Sequence, residues 1–468
     1  MFKKKTAEPQ QTIWVPTTEI VSTPANSFYE RLNTALDSFG FGDQVRALCE
    51  PFYCTDESVG GYPGIDPEVY FKMLLIGFFE NLPSERGIAA RCADSLSIRE
   101  FLHYTLTEST PTHSSFTVIR KRLDADVYRQ VFALVLAALK KHKLLKGKRL
   151  GIDASVLEAN ASLRSLEHRL TGEAYWQYVK RLAAAAGVNT EDAAAVRRFD
   201  KNREGRTTSN DDWKNPHDPD AKVGRTKRGA TRMVYKPEHI VDLDTGAIVD
   251  VDVRPGDEGD TEDLAERVLD AEERLNEAIG NPSDTATIEV LTNDKGYYKV
   301  SELRKLQELG IKTVTPDSID NRRIDKLSSE DRKAVESAKR SVSAKYGKEL
   351  LKRRGMYVER SFEHVLDCGG ARRTTLRGRE NITKRYLVQA MGANISLLMR
   401  KLTGIGTPKQ AIAATKRSIS LNQSAFDLVF TLQRLLSTLR SDYRATTASL
   451  ANPSHLGFHD AFSLNLWW

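Results

Sequence analysis

The amino-acid sequence predicts an α/β protein built on a mixed sheet with helices, preceded by an all-α region and followed by a helical C-terminal region. From residue 27 to 145, apolar residues recur at spacings of three and four, which is the period of amphipathic helices. After residue 146, short apolar runs alternate with helical patterns, as in folds whose helices pack on a sheet. A chain of 468 residues also exceeds one ordinary core, so we expect two to four domains.

Charge and cysteine content narrow the class of protein. With 40% hydrophobic and 28% charged residues, and without a run of about 18 apolar residues, the sequence predicts a soluble, cytoplasmic protein without an export signal or membrane span. The net charge of +7 is compatible with a polyanionic partner. The four cysteines, Cys49, Cys54, Cys92 and Cys368, fit neither a dense disulfide framework nor paired zinc-ligand motifs, so we expect thiols in a reducing compartment.

Residues 1–145 form the predicted N-terminal helical domain. Its segment TPTHSSFTVIRKRL is typical of a helix-turn-helix, because short helices separated by polar turns lead into a basic helix. The first turn of that helix presents hydroxyls and backbone N–H groups that suit phosphate, and cations follow. The predicted DNA-binding residues here are Ser114, Ser115, Thr117, Arg120, Lys121 and Arg122. A solvated basic helix face explains the same pattern equally well.

Residues 146–375 contain the predicted mixed sheet. A short strand in KRLGIDASVLEAN ends at Asp153, and an insertion follows at about 161–228, helical over 162–187 and then polar. RMVYKPEHIVDLDTGAIVDVDVRPG is a strong hairpin signal, since two alternating strands flank the turn DLDTGA. A helix at 261–279, the strand TATIEVLTND, the helix VSELRKLQELG and the strand IKTVTP come next.

The remaining chain is predicted to be helical. Residues 317–354 are charged, and the helix RGMYVERSFEHVLD carries Glu359. The C-terminal region, 376–468, includes the amphipathic stretch SAFDLVFTLQRLLSTL and ends in LNLWW.

Three acidic residues stand out by their position. Asp153 and Asp294 each end a predicted strand, and Glu359 lies on a helix. Strand ends converge on one edge of an open sheet, and a helix packed on the sheet can bring a third carboxylate there. Converging carboxylates repel one another unless cations lie among them, and such oxygen ligands suit Mg²⁺ or Mn²⁺. Two such ions roughly 3.5–4 Å apart support phosphoryl transfer on nucleic acid.

The segments GIDASVLEANAS, YKPEHIVDLDTG, VLTNDKGYYKV and RRGMYVERSFEHV resemble the catalytic segments of bacterial insertion-sequence transposases of the DDE type. The helical start through SSFTVIRKRL resembles the N-terminal domain of the same transposases. The resemblance covers roughly residues 27–400 and implies an RNase H-like catalytic domain with two Mg²⁺ ions per site, for which Mn²⁺ can substitute. It assigns Asp153 as the ligand shared by both ions, Asp294 as the second ligand and Glu359 as the third.

The segment around Glu359 departs from the family pattern in two ways. Many relatives have a tyrosine and an arginine at fixed distances before the glutamate and a lysine seven residues after it. In this sequence Arg354 lies five residues before Glu359, and Leu366 stands in place of the lysine. Glu363, one helical turn further on, is the rival third ligand. The phosphate-holding role of the missing lysine is expected to pass to Arg360, Arg372 or Arg373. Further predicted DNA contacts are Lys295, Arg354, Arg377 and Arg379.

Several other polar and aromatic residues are predicted to be structural. His239 is expected to be a packed or hydrogen-bonded strand residue, and Tyr175 and Trp176 to belong to a core, with stacking on an unpaired base as the alternative. Asp242, Asp244, Asp250 and Asp252 alternate on the hairpin and are expected to be turn and surface residues.

The resemblance implies a transposase that binds the terminal inverted repeats of its element, cuts DNA and joins the 3′-hydroxyl ends to target DNA, working as a homodimer in the synaptic complex. It also implies a bacterial protein that associates with the nucleoid when bound to DNA. The alternatives are a domesticated metal-dependent nuclease and a non-catalytic DNA-binding repressor. The repressor hypothesis predicts that at least one of the three carboxylates is displaced from the edge of the sheet.

Overall fold

The computed structural model describes residues 24–53, 64–204, 209–226, 229–280, 288–317, 324, 326–417, 420, 423, 428–434, 436 and 437. The chain divides into two compact units, residues 1–408 and 409–468. In the second unit, residues 409–417 and 428–434 are helical, and the predicted LNLWW terminus lies outside the described residues. All helices and strands named below belong to the first unit.

The N-terminal part of the first unit is helical, as predicted. Its helices are α1 (Pro24–Asp37), α2 (Phe41–Cys49), α3 (Pro67–Phe79), α4 (Glu85–Asp94), α5 (Leu96–Phe101), α6 (His113–Arg122) and α7 (Ala125–Lys141). Asp66, Ser84 and Asp124 cap α3, α4 and α7, because each side chain accepts a hydrogen bond from a backbone N–H of the first turn. Every residue of α3 is buried, so this helix forms the centre of the helical core.

The mixed sheet has β6 (Thr231–Asp242) as its longest strand. On one side, β6 pairs antiparallel with β1 (Arg149–Ala154) and β2 (Leu157–Glu158); on the other, it pairs antiparallel with β5 (Lys222–Arg225) and β7 (Ile248–Pro255). Next to β1 come β8 (Val290–Thr292) and β9 (Lys312–Val314), both parallel to it. The strand order is therefore β7, β6, β1, β8, β9, with the first three strands antiparallel and the last three parallel.

The chain between β2 and β5 forms a small helical and aromatic layer. It contains α8 (Tyr175–Ala185), α9 (Ala193–Asn202) and a two-stranded ribbon of β3 (Glu167–His168) and β4 (Trp213–Lys214). The prediction of a continuous helix from 162 to 187 was wrong at its start, where Leu163–Ser165 form a 3₁₀ turn and β3 follows. Strand β5 pairs with β6 in the main sheet, although its residues fall within the predicted insertion.

The remaining helices cover the two faces of the sheet. They are α10 (Leu264–Ile279), α11 (Val300–Glu308), α12 (Ser329–Ser343), α13 (Lys345–Phe362) and α14 (Arg379–Thr403), and a π-helical segment, Glu363–Cys368, continues α13. Helix α13 lies over β1 and β6, and α10 lies on the opposite face. None of the described helices is long and apolar enough to cross a membrane.

Helix α14 packs against α3, α7 and β7. Its Asn394 side chain bonds both main-chain groups of Ile248, donating to the carbonyl at 2.8 Å and accepting from the N–H at 2.9 Å. The predicted domain boundaries at 145/146 and 375/376 both fall inside the first unit, where α14 joins the helical core to the sheet. The three-domain division stays a prediction.

Candidate active site

Asp153 and Asp294 lie side by side at one edge of the sheet. Gly151 on β1 stands opposite Thr292 on the parallel strand β8, so the aspartates two residues further on point to the same face. That face is covered by α13, since a Cβ at position 151 would lie 3.1 Å from Val358 Cγ2. The predicted convergence of the two strand-terminal aspartates is therefore observed.

Arg354 of α13 lies between the two carboxylates. Its Nη2 is 2.7 Å from Asp153 Oδ2 and 3.6 Å from Asp294 Oδ2, and its side chain is 14% exposed. The other oxygens are held by backbone, because Asp153 Oδ1 accepts from the N–H of Ala154 and Asp294 Oδ1 from that of Gly296, both at 2.8 Å. Two carboxylates thus share one guanidinium nitrogen as their counter-charge.

The turn after Asp294 requires a small residue at position 296. Lys295–Tyr297 form a 3₁₀ turn that Asp294 caps, and a Cβ at position 296 would lie 3.0 Å from Asp294 Oδ1 and 3.2 Å from Asp260 Oδ2. Gly296 therefore allows Asp260, which is paired with Lys236, to come close to Asp294. Lys295, which directly follows Asp294 in the chain, is exposed.

Glu359 is exposed on a different face of α13 from Arg354. Successive helical residues are rotated by about 100°, so a residue five positions after Arg354 points roughly 140° away from it. Val358, four residues after Arg354, is the one that faces the sheet. Among the residues that the structure describes, no group of three or more His, Cys, Asp or Glu side chains is placed to hold a metal ion. Glu363 is exposed as well.

A buried network of charged side chains holds the turn Lys295–Tyr297 in place. Tyr297 donates to Glu238 Oε2 at 2.8 Å, and Glu238 also pairs with Arg254 at 3.3 Å and with Arg267 at 3.1 Å. Burial, and next the charges of Glu238, Asp260 and Asp153, raise the pKa of Tyr297 far above its ordinary value, so the phenol stays protonated and donates. The network holds β6, β7 and α10 to Tyr297, the last residue of the turn after Asp294.

His239 ties α13 and α14 to the sheet. It is the cross-strand neighbour of Asp153, is fully buried and is stacked on Phe362 at 4.0 Å between ring centroids. Its Nδ1 lies 2.7 Å from Ser361 Oγ, and its Nε2 lies 2.7 Å from Tyr386 Oη. Burial lowers the pKa of His239 to about 3, so the imidazole is neutral. The prediction of a packed, hydrogen-bonded histidine is confirmed.

The hairpin aspartates correct one expectation. Asp242 is fully buried and accepts from the N–H of Lys146 at 2.6 Å, while Asp250 is 6% exposed and pairs with Arg274 at 2.5 Å. Asp244, whose side chain is 4% exposed, pairs with Arg149 at 2.8 Å. Asp242 and Asp244 lie at the turn, as predicted, and Asp252 is partly exposed. The prediction of surface positions was wrong for Asp242, Asp244 and Asp250, because helices pack against the hairpin and its carboxylates meet backbone N–H groups and arginines of neighbouring segments.

The predicted DNA-binding residues of α6 are not all accessible. Arg120 is buried, forms an ion pair with Glu85 of α4 and donates to Asn381 of α14 at 3.3 Å. Its guanidinium therefore joins helices and is not on the surface. Ser114, Lys121 and Arg122 are exposed, and Ser115 and Thr117 are half-buried. Arg122 lies over the Tyr53 ring at 4.5 Å.

The predicted DNA-contacting arginines in the last turn of α13 and after it are exposed. Arg360 lies 5.9 Å from the Tyr357 ring centroid, and Arg372 forms a bidentate pair with Asp367 at 2.5 and 2.6 Å. Arg373 and Arg377 border a surface cleft, and Arg379 begins α14. Apart from Arg354, the structure brings none of these described arginines to the two aspartates.

Two family models match the chain. Residues 19–122 match a transposase domain (DUF772), and residues 206–395 match a transposase DDE domain. The chain belongs to the DDE transposases of insertion sequences. No curated protein and no solved structure gives a match. In this transposase, Asp294 and Glu359 lie inside the segment that matches the transposase DDE domain. Asp153 lies between the two matched segments.

The sequence predicted Arg354 as a DNA contact but not its contact with the two aspartates, and it gave no prediction for Asp260. The contact of Arg354 with the aspartates had a signal, because Leu350, Arg354, Val358 and Phe362 are spaced by four residues and mark the buried face of α13. The same spacing excludes Glu359 from that face. Asp260 had no signal, since it lies in a polar loop without periodicity that only the folded chain brings beside Gly296.

Proposed function

We propose that this transposase cuts DNA at the ends of its element and joins the 3′-hydroxyl ends to target DNA, at the edge where Asp153 and Asp294 meet. The observation that carries the proposal is the sharing of one Arg354 nitrogen by both carboxylates. The strand order also supports it, because three antiparallel strands followed by two parallel ones is the arrangement we expect of an RNase H-like sheet. The layer between β2 and β5 corresponds to the proposed insertion.

The two aspartates fit a divalent cation. Both Oδ2 atoms lie close to Arg354 Nη2, at 2.7 Å for Asp153 and 3.6 Å for Asp294. The two oxygens therefore already share one positive charge. Carboxylate oxygens of this kind suit Mg²⁺ or Mn²⁺. Asp153 and Asp294 would hold the metal, with Glu359 as the proposed third ligand and Glu363 as its rival; both lie on the neighbouring helix. A rotation of the helix end, where α-helix changes to π-helix at Glu363, would bring one of them closer.

Two such ions, held by these carboxylates, would supply the activation of a water or a 3′-hydroxyl and the stabilisation of the leaving oxygen. The protein's own groups hold the reactants. Asp153 and Asp294 are oriented by the backbone N–H groups that bind their Oδ1 atoms, which leaves the Oδ2 atoms for the site. Arg354, displaced from the aspartates, would turn to the DNA phosphate beside them. Exposed Lys295 would hold the same strand.

The proposed partner is double-stranded DNA, both transposon end and target. The net charge of +7 and the exposed cations Lys121, Arg122, Arg360, Arg372, Arg373, Arg377 and Arg379 support backbone contacts. We also propose a homodimer in the synaptic complex, since two ends must be joined together.

The exposed position of Glu359 favours a second candidate, a DNA-binding repressor that does not cut. This candidate requires that a carboxylate be displaced from the edge of the sheet, and Glu359 points away from Asp153 and Asp294. The two candidates differ in chemistry and not in DNA binding, so one assay separates them.

The experiment is cleavage and strand transfer on a labelled duplex carrying the inverted repeat that borders the chain's own gene, with Mg²⁺ or Mn²⁺. Wild type is expected to nick and join, while Asp153→Asn, Asp294→Asn and Glu359→Gln bind the duplex and do neither. Asp257→Asn, at an exposed position on the loop after β7, is the matched control and should retain activity. Activity in Glu359→Gln together with loss in Glu363→Gln would move the third ligand by one turn. Binding without cutting by wild type in both metals would favour the repressor.

A further inference from the structure

A basic cleft lies on the surface beside β2, and neither of the two aspartates lines it. It encloses about 530 Å³ between residues 158–165 and residues 373–377. Four arginines line it, Arg164, Arg232, Arg373 and Arg377, and Glu158 is the acidic residue among the lining residues. His217 completes the far side. The local charge is therefore strongly positive even when Glu158 is counted.

The walls of this basic cleft are fixed by hydrogen bonds. Glu158 donates its N–H to the carbonyl of Arg372 at 3.1 Å, and its own carbonyl accepts from Thr374 at 2.9 Å. Asn160 Nδ2 donates to the carbonyl of Thr375 at 2.9 Å. On the other side, Asn215 Nδ2 donates to the carbonyl of Ser162 at 2.8 Å. The arginines thus project from a pre-formed frame, which lowers the entropic cost of binding a ligand.

The arginine charges are only partly compensated within the cleft. Arg232 and Arg373 have side chains that are 54% and 70% exposed, and their Nε atoms lie 3.7 and 3.9 Å from Glu158 Oε1. These distances are beyond hydrogen-bond range, and exposed ion pairs of this kind contribute little. Arg377 Nε donates to the carbonyl of Asn160 at 3.2 Å, while its side chain stays exposed. The guanidinium groups can therefore meet phosphate oxygens without losing a strong partner.

The basic cleft is close to the candidate active site along the chain. Glu158 follows Asp153 by five residues on consecutive strands, which is at most about 16 Å at the rise of an extended chain. One strand of duplex DNA advances by about 3.4 Å per nucleotide, so this distance corresponds to at most about five nucleotides. The volume lies in the range of small-ligand sites, which is enough for the backbone of one strand.

We propose that the basic cleft binds the sugar-phosphate backbone of one DNA strand, within about five nucleotides of the bond that is cut. The proposal rests on the proposed function and deepens it by adding a binding site separate from the carboxylates. Recognition is by charge, since arginines at phosphates carry no base information. The strand runs from Asp153 along β2 into the cleft.

The test measures, by fluorescence anisotropy, how tightly the protein binds a short oligothymidylate and the duplex end. The measurements are made in EDTA over a range of salt concentrations. Arg232→Gln/Arg373→Gln should lower the slope of log K against log salt by about 0.7 for each arginine that meets a single-stranded phosphate. In 0.1 M salt, two such increments weaken oligothymidylate binding roughly twentyfold. Glu158→Gln should tighten binding. Cognate and scrambled duplex ends should lose affinity equally.

The matched control is Arg198→Gln/Arg340→Gln, which removes two positive charges from exposed positions on α9 and α12. Equal binding and equal salt slopes for the two double variants would overturn the cleft proposal, and thermal unfolding of each variant verifies that both are folded. If wild type cleaves the duplex end but the two double variants bind DNA equally well, the cleft proposal is wrong and the proposed function stands. Failure of wild type to bind either DNA would remove the proposed function as well.

Discussion

Arg354 Nη2 lies 2.7 Å from Asp153 Oδ2, and this contact makes an arginine the counter-ion of the candidate active site. The same nitrogen is 3.6 Å from Asp294 Oδ2, so a single guanidinium compensates two carboxylates. A divalent cation would need the same oxygens. In the proposed metal site, arginine and metal would therefore compete for one position, and metal binding would displace the Arg354 side chain.

Substitution Arg354→Gln should strengthen metal binding and weaken the metal-free fold. Without the guanidinium, the two carboxylates repel each other and lose their shared ion-pair partner, which lowers the free energy of unfolding. Mn²⁺ no longer has to displace a cation. Isothermal titration with Mn²⁺ should give a lower dissociation constant than for wild type, and Mn²⁺ should raise the melting temperature by more.

Arg353→Gln is the control for this prediction. Arg353 precedes Arg354 on α13 but pairs with Asp244 at 3.3 Å and with Glu349 at 3.1 Å. Its loss should reduce stability and leave the Mn²⁺ response at the wild-type value. An identical Mn²⁺ response in both variants would show that Arg354 does not compete with the metal.

Tyr297→Phe should destabilise the turn that carries Asp294. The variant removes the hydroxyl that donates to Glu238 at 2.8 Å and leaves a buried carboxylate with one partner fewer. The expected loss is about 1.5–3 kcal/mol in urea unfolding. Tyr346→Phe is the control, because its hydroxyl accepts from Arg149 at 3.3 Å on an exposed surface, and its loss should cost less than about 0.5 kcal/mol. Equal losses would refute a special role for the Glu238 network.

Much of the fold could be predicted because the spacing of apolar residues that marks a helix or a strand is visible within each short segment of the sequence. Six of the seven described N-terminal helices, the β6–β7 hairpin and the strands that end beside Asp153 and Asp294 were predicted from apolar patterns of their own, whereas helix α2 was not predicted. Convergence of the two aspartates follows, since parallel neighbours share one edge.

The rest could not be predicted because it depends on packing between distant segments. Strand β5 is short and polar, and only its pairing with β6 makes it a strand. The sequence of helix α14 does not indicate which elements the helix packs against. For example, its Lys384 is 3% exposed and donates to the carbonyl of Arg120, a residue of the N-terminal helical region. The rotation of α13 was the most consequential unknown, because a helix motif can align well while its acidic residue faces outward.

Thiol labelling tests the burial of the cysteines. Burial raises the pKa of Cys49 and of Cys92 to about 12, so both thiols are protonated and shielded at neutral pH. Cys368 is exposed. In a Cys54→Ser background, a disulfide reagent should modify one thiol quickly and two more only in denaturant. The control Cys54→Ser/Cys368→Ser should lack the fast phase, and a fast phase there would show that Cys49 or Cys92 is accessible.

The hydrogen bonds of His239 define one tautomer and give the last prediction. Ser361 Oγ donates to the carbonyl of Val358 at 2.7 Å, so it accepts from His239 Nδ1–H, and Nε2 then accepts from Tyr386. Ser361→Ala leaves a buried donor without its partner and Tyr386→Phe a buried acceptor, each at about 1–3 kcal/mol of unfolding free energy. The two losses should not add, because both act through one imidazole. Ser343→Ala, on exposed α12, should cost less than about 0.5 kcal/mol of unfolding free energy.

Nitrogen-15 spectra of His239 should show a proton on Nδ1, and a proton on Nε2 would reverse the assignment. Since this imidazole holds α13, which carries Arg354 and Glu359, Ser361→Ala should also reduce Mn²⁺-dependent DNA cleavage more than Ser343→Ala does.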